Sequence, residues 1–179
     1  MKATISANGK TVQVEMTEEQ LKELGVIKER SRTGYERVKK DETYYVIDTE
    51  YNSMSKITEF NDQEDEQCYN AGNYFNDKII AENNARADKL LRCLRQWQAQ
   101  NDKPISMSDW KNDNISKYYV DYDCFHELFF VTYTVRRRSL NNIYFTSDEK
   151  AKEAIEVFRD ELLWYFTEYQ QRLDEEQGE

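Results

Sequence analysis

The chain has one histidine, His126, and three cysteines, Cys68, Cys93 and Cys124. Covalent catalysis by a thiol or hydroxyl needs a neighbouring base, so such chemistry would rest on His126. Cys124 and His126 stand two positions apart in a stretch that reads as a strand, which puts both on one face. This is the sharpest enzymatic arrangement in the chain. The plainer reading is a half-buried strand with a small apolar Cys beside a polar neighbour. No Gly-x-Ser-x-Gly elbow surrounds a serine. The cysteines are too widely separated to read as paired zinc ligands. The five glycines, Gly9, Gly25, Gly34, Gly72 and Gly178, are scattered, so no phosphate-wrapping loop is expected. Asp121 and Asp123 share a strand face and could hold Mg²⁺. Without a further ligand in a recognisable pattern, a solvated strand face explains them better. The expectation is no catalytic residue, no metal ligand and no cofactor.

Two charge clusters remain. Arg136, Arg137 and Arg138 follow the aromatic strand Phe129-Phe130-Val131-Thr132-Tyr133. Arginine beside aromatic rings can grip phosphates and stack on bases. Lys39 and Lys40 are further basic candidates, and a solvated turn is the alternative. Glu59, Asp62, Glu64, Asp65 and Glu66 form an acidic cluster that could mimic phosphate spacing toward a basic groove. The alternative there is an ordinary acidic loop.

The elements that must position these residues are legible in part. Residues 2–14 read as a hairpin about Asn8-Gly9, a dipeptide that accepts positive φ in a type I′ turn. Thr17 with Gln20 forms a capping box for a short helix that Gly25 ends. Strands are expected over 43–48 and 55–60, then an acidic loop over 59–66, then a helix from about 77 to 98. The apolar stripe of that helix is Ile80, Ala87, Leu91, Leu94 and Trp97. Further strands are expected over 117–122 and 126–135. A last helix is capped by Thr146 with Glu149 and carries Ala151, Ile155, Phe158, Leu162, Tyr165 and Tyr169 at steps of three and four.

The same unit is written twice. Tyr44-Tyr45-Val46-Ile47-Asp48 is echoed by Tyr118-Tyr119-Val120-Asp121. Gly72-Asn73-Tyr74-Phe75 and Asn142-Ile143-Tyr144-Phe145 each give a short third strand or turn leading into a helix. Ala81 and Ala85 match Ala151 and Ala154-Ile155. A repeat of this length is a copied supersecondary unit that cannot bury its apolar face alone. The expected class is α+β: an N-terminal ββα module followed by two ββ(β)α units, with antiparallel sheets packed by long helices. The expected boundaries are a hairpin–helix module over 1–27, a basic connector over 28–42, a first unit over 43–100, a linker over 101–114, a second unit over 115–173 and an acidic tail over 174–179.

Composition bounds the function. Net charge is −10, with 34% charged residues. Mean hydropathy is −0.97. A general nucleic-acid binder is usually basic, so a basic partner is the more natural one. Aromatics at 13% distinguish the chain from disordered sequences. An odd number of widely spaced cysteines argues against a disulfide framework and fits a reducing cytoplasm. Met1-Lys2-Ala3-Thr4 opens no apolar signal core, and Leu128-Phe129-Phe130-Val131 is too short to cross a bilayer. Trp164, Tyr165 and Phe166 beside the stripe of the last helix exceed what one face needs. A homodimer through that helix is one expectation, and cover from the first repeat's helix is the other.

Three stretches together resemble a known group. They are Lys2 to Lys10 with Met16-Thr17-Glu18-Glu19-Gln20-Leu21; Gly34-Tyr35-Glu36-Arg37-Val38 with Glu42 to Val46 and Gly72 to Phe75; and Lys117 to Asp121 with Asn142 to Ala151. The group is the small accessory proteins of phages and mobile elements of Gram-positive bacteria. Some proteins of this appearance are similar to type II-A anti-CRISPR proteins, which inhibit the Cas9 nuclease. The resemblance implies a cofactor-free inhibitor acting by stoichiometric binding to Cas9 in the bacterial host cell. An acidic ligand would be steered toward the positively charged channel of Cas9. The alternatives are an accessory protein that binds double-stranded DNA through the arginines, and a non-enzymatic phage assembly component.

Overall fold

The computed structural model describes residues 2–7, 10–17, 20, 32–50 and 53–175. The chain divides into two compact units, Met1–Thr33 and Gly34–Glu179. In the first, β1 (Lys2–Ala7) pairs antiparallel with β2 (Lys10–Glu15), with Ala7 opposite Lys10. Thr17 Oγ1 accepts from the Gln20 N–H at 3.2 Å, and the Thr17 N–H donates to Gln20 Oε1 at 3.0 Å. This is the reciprocal cap that the sequence predicts. The Asn8-Gly9 turn, the Gly25 stop and the basic residues Lys28 and Arg30 lie outside the described residues.

The larger unit is α+β and contains two structural repeats. The first holds β3 (Thr43–Asp48), β4 (Ser53–Thr58), α1 (Gln63–Asn70) and α2 (Lys78–Asn101). A helical turn, α3 (Met107–Trp110), interrupts the expected linker. The second repeat holds β5 (Lys117–Asp123), β6 (Leu128–Thr134) and α4 (Asp148–Thr167). Each hairpin is a two-stranded antiparallel sheet.

The expected third strands shrink to single bridges. Phe75 exchanges both backbone hydrogen bonds with Tyr45, at 2.7 and 3.0 Å. Phe145 does the same with Tyr118, at 3.0 and 2.8 Å. Neither can extend C-terminally, because the chain turns at once into a helix cap. Asp77 accepts from Ile79 and Ile80, and Ser147 accepts from Lys150. In the first repeat the Asn73 amide imitates one more rung, bonding the Ile47 N–H at 2.7 Å and its carbonyl at 3.0 Å.

These bridges correct the repeat's alignment by one residue. Tyr45, not Tyr44, is the structural equivalent of Tyr118, and Tyr44 is the equivalent of Lys117. The tandem tyrosines hide the slip, and a slip of one residue exchanges the two faces of a strand. Other expectations also change. The acidic stretch after β4 contains α1 rather than a simple loop. Ser147, not Thr146, caps α4; Thr146 instead donates its N–H to Asp102 Oδ2 at 2.7 Å. Cys124 and His126 lie in the turn between β5 and β6, not on a strand.

The core forms two clusters joined by the helices. Phe75, Ile80 and Ala81 gather Tyr35, Tyr45, Ile47, Met54 and Leu173. Leu90, Leu94, Phe145, Ala151, Ala154, Ile155 and Leu162 gather the inner faces of β5 and β6. Ala81 and Ala151 are fully buried where each helix starts under its own bridge. Gly34 is required at its site: its φ is +98°, and a Cβ there would stand 2.9 Å from Ile80 Cγ1. Helix α4 breaks at Phe158, with φ −114° and ψ 19°. Its aromatic excess is covered within the chain. Phe166 stacks on Tyr122, Tyr165 on Tyr169, and the Arg86 guanidinium lies 4.0 Å from the Trp164 ring.

Candidate functional site

The acidic cluster folds inward. Glu59 is fully buried and Asp65 is 2% exposed. Glu59 takes hydrogen bonds from the Tyr74 hydroxyl at 2.7 Å, from the Asn61 N–H at 2.9 Å and from Arg37 at 3.1 Å. Asp65 takes them from the Tyr44 hydroxyl at 2.8 Å and from the Phe60 N–H at 2.7 Å. Asp62 caps α1, accepting from the N–H groups of Glu64 and Asp65. Glu66 pairs with Arg37 and accepts from Asn70 at 3.1 Å. Glu64 is exposed, and among the described contacts its side chain has no partner. The cluster is therefore mostly an internal carboxylate–phenol–arginine network.

Its electrostatics follow from these contacts. Burial pushes the Asp65 carboxyl up, but its hydrogen bonds from Tyr44, Phe60 and Asp62 outweigh that and hold it below the ordinary 3.8. Glu66 is held below 4.5, first by the Arg37 hydrogen bond and then by Asn70. Burial, then hydrogen bonding to a carboxylate, raises the Tyr44 and Tyr74 phenols. The Arg37 guanidinium is held more firmly charged by Glu59 and Glu66.

The basic cluster is open. Arg136 pairs with Asp113 through its Nε and Nη2, and its side chain is 72% exposed. Its pairing lowers the Asp113 carboxyl. The Arg138 guanidinium lies 5.5 Å from the Trp110 ring centroid. Arg137 is exposed, and its backbone N–H is taken by Thr134 Oγ1 at 3.0 Å. Lys39 and Lys40 are exposed before β3. No contact joins them to the arginines among the described residues.

The Cys124–His126 pair is a turn feature. Asp123 accepts from the N–H groups of Phe125 and His126, both at 2.9 Å, and from His126 Nδ1 at 2.7 Å. These bonds hold the Asp123 carboxyl below its ordinary value. The imidazole is thus committed to Asp123 rather than to the thiol. The three cysteines are free, and Cys124 is exposed. Among the described residues no group of three or more His, Cys, Asp or Glu is placed to hold a metal ion.

Residue patterns missed two features. The first is Lys117, fully buried. Its ammonium donates to the carbonyls of Ile115 at 2.7 Å and Val135 at 2.8 Å, and lies 5.2 Å from the Trp110 ring centroid. The second is the outer face of the β5–β6 hairpin. Phe125 at its tip is 87% exposed, and Leu128 and Phe130 are 48% and 40% exposed. The register sets Asp123 opposite Leu128 and Asp121 opposite Phe130, so apolar side chains and carboxylates share the face. Exposure alternates over Leu128–Val131, with Phe129 and Val131 inward, but the run of four apolar residues there gives no alternation in the sequence itself. Comparison of the chain with family models, with curated proteins and with solved structures found no match. Among the described residues no helix is long and apolar enough to cross a membrane.

Proposed function

We propose that this chain is a stoichiometric protein inhibitor of the Cas9 nuclease, acting by surface contact in the cytoplasm of a bacterial host and performing no catalysis of its own. The supporting observation is the exposed face of the second hairpin. Leu128, Phe130 and Phe125 supply apolar anchors, and Asp121 and Asp123 supply charge among them. Interfaces draw their energy from a few such anchors. The net charge of −10 steers the chain toward a positively charged channel. The family resemblance supplies the identity of the partner. With Glu59 and Asp65 folded inward, Glu64 and the hairpin carboxylates are the acidic groups best placed to meet a partner.

The test is plasmid cleavage by guide-loaded Cas9, titrated with this chain, with co-purification alongside. Saturable inhibition near one chain per effector is expected. Phe130→Asp should weaken it by about tenfold or more, the loss of one anchor. Absence of both binding and inhibition across several type II-A effectors would remove the reading. The runner-up is direct binding of double-stranded DNA, favoured by the Arg138–Trp110 stack beside exposed Arg137. A gel shift at low salt that weakens steeply as salt rises would promote it.

A further inference from the structure

The two hairpins treat their outer edges differently. Sheet edges present unpaired N–H and C=O groups, and proteins commonly blunt them with charge, lysine especially. Superposing the hairpins on their bridges aligns Tyr45 with Tyr118, and their cross-strand partners Lys56 with Tyr133. The edge of β4 thus carries a lysine where the edge of β6 carries a tyrosine. Strand β6, Leu128 to Thr134, has no charged residue at all, in a chain that is 34% charged. Among the described residues nothing but β5 pairs with it.

The bridge also fixes which groups point outward. Tyr118 spends its N–H and C=O on Phe145, away from β6. Antiparallel hydrogen bonding alternates along a strand. Phe129, Val131 and Tyr133 therefore aim their N–H and C=O groups from the free edge, while Phe130 and Thr132 bond to β5. The outward set is symmetric about Val131, the middle of the strand. We propose that the β6 edge is a self-association surface, on which a second copy of this chain pairs antiparallel with Val131 at the dyad.

In that arrangement Val131 faces the second copy's Val131, and Phe129 faces the second copy's Tyr133. Every outward N–H meets a carbonyl, and aromatic side chains oppose each other on one face. An acidic chain repels its own copies, and β6 brings no charged side chain of its own to the contact. The contact is self-complementary, as a twofold interface must be. The proposal is independent of the Cas9 reading.

Sedimentation equilibrium of the full chain at rising concentration tests it. A monomer–dimer equilibrium is expected. Tyr133→Lys, which grafts the first repeat's own residue, should weaken association by about tenfold or more. Tyr133→Pro should do the same by deleting one outward N–H, a change that edge strands accept. Tyr133 is 62% exposed, so neither variant opens the core. Amide exchange on the unmodified chain gives a second readout that does not depend on how the variants fold. Phe129, Val131 and Tyr133 should slow as concentration rises, while Phe130 and Thr132 stay constant. A chain that is monomeric throughout, a dimer indifferent to both variants, or indifference of those three amides overturns the proposal. Protection of the three amides only on adding guide-loaded Cas9 also overturns it, and assigns the edge to a foreign strand.

Discussion

The two repeats share a scaffold and close it with opposite chemistry. The position after which β3 and β5 meet their bridges holds Tyr44 in one and Lys117 in the other, each buried. In the first repeat the phenols of Tyr44 and Tyr74, stacked at 4.0 Å, donate to the buried carboxylates of Asp65 and Glu59. In the second, the Lys117 ammonium donates to carbonyls beneath Trp110, and Tyr144 donates no bond to a carboxylate but accepts from the Ser139 N–H at 2.8 Å. The inserted connections account for the difference. Helix α1 brings the Asp65 carboxylate to the first hairpin, and α3 brings the Trp110 ring to the second, where Ile115 and Val135 supply the carbonyls. A buried polar position is thus compatible with either sign of charge, provided every donor and acceptor is matched.

The most severe way to break the comparison is Glu59→Ala. It removes the acceptor of the Tyr74 hydroxyl and of the Asn61 N–H, and leaves Arg37 only Glu66 of its two carboxylate partners. The expected loss is about 3 kcal/mol, at the lower end for a broken buried pair because Arg37 is 30% exposed. Urea unfolding measures it, and a loss under about 1 kcal/mol, the net worth of an ordinary hydrogen bond, would show that the network contributes little. Lys117→Met comes next. It keeps the stem's length but leaves the Ile115 and Val135 carbonyls without their donor, at an expected cost of about 2 kcal/mol. A smaller loss for Lys117 than for Glu59 is the outcome the comparison requires.

The gentlest probe is pH. The carboxyls of Asp65 and Glu66 lie below their ordinary values of 3.8 and 4.5. Their contribution is present above that range and fades as pH falls through the lower folded values. The Tyr44 and Tyr74 phenols lie above their ordinary value of 10.0, so their contribution is present below 10 and fades as pH rises beyond it. Amide exchange should show β3–β4 losing protection at both extremes before β5–β6 does. Simultaneous loss in both hairpins would mean that the repeats titrate as one body.

The sequence disclosed the hairpins and the long helices, because turn residues and caps are local signals. It misplaced the register at Tyr44-Tyr45, where adjacent identical residues carry no phase. It also read Glu59 and Asp65 as solvated. A run of acids looks exposed unless its donors are known, and here the donors are Arg37 and Tyr44 from upstream and Tyr74 from downstream. The arginine turn was legible as an open cluster, but its Trp110 neighbour comes from a segment that looked like linker. The exposed face of β6 was hidden, because Leu128-Phe129-Phe130-Val131 is apolar throughout and only the inner partners of Phe129 and Val131 show which side is free.

The chain's last described turn reaches back to the first repeat. Leu173 packs in the core of the first repeat, the Tyr35 hydroxyl donates to the Gln171 carbonyl at 3.1 Å, and Tyr169 donates to Asn84 at 3.0 Å. A chain made from its N-terminus cannot complete that core until Leu173 leaves the ribosome. The first repeat to be synthesised is therefore sealed only after the second has been made, by residues that follow the last helix.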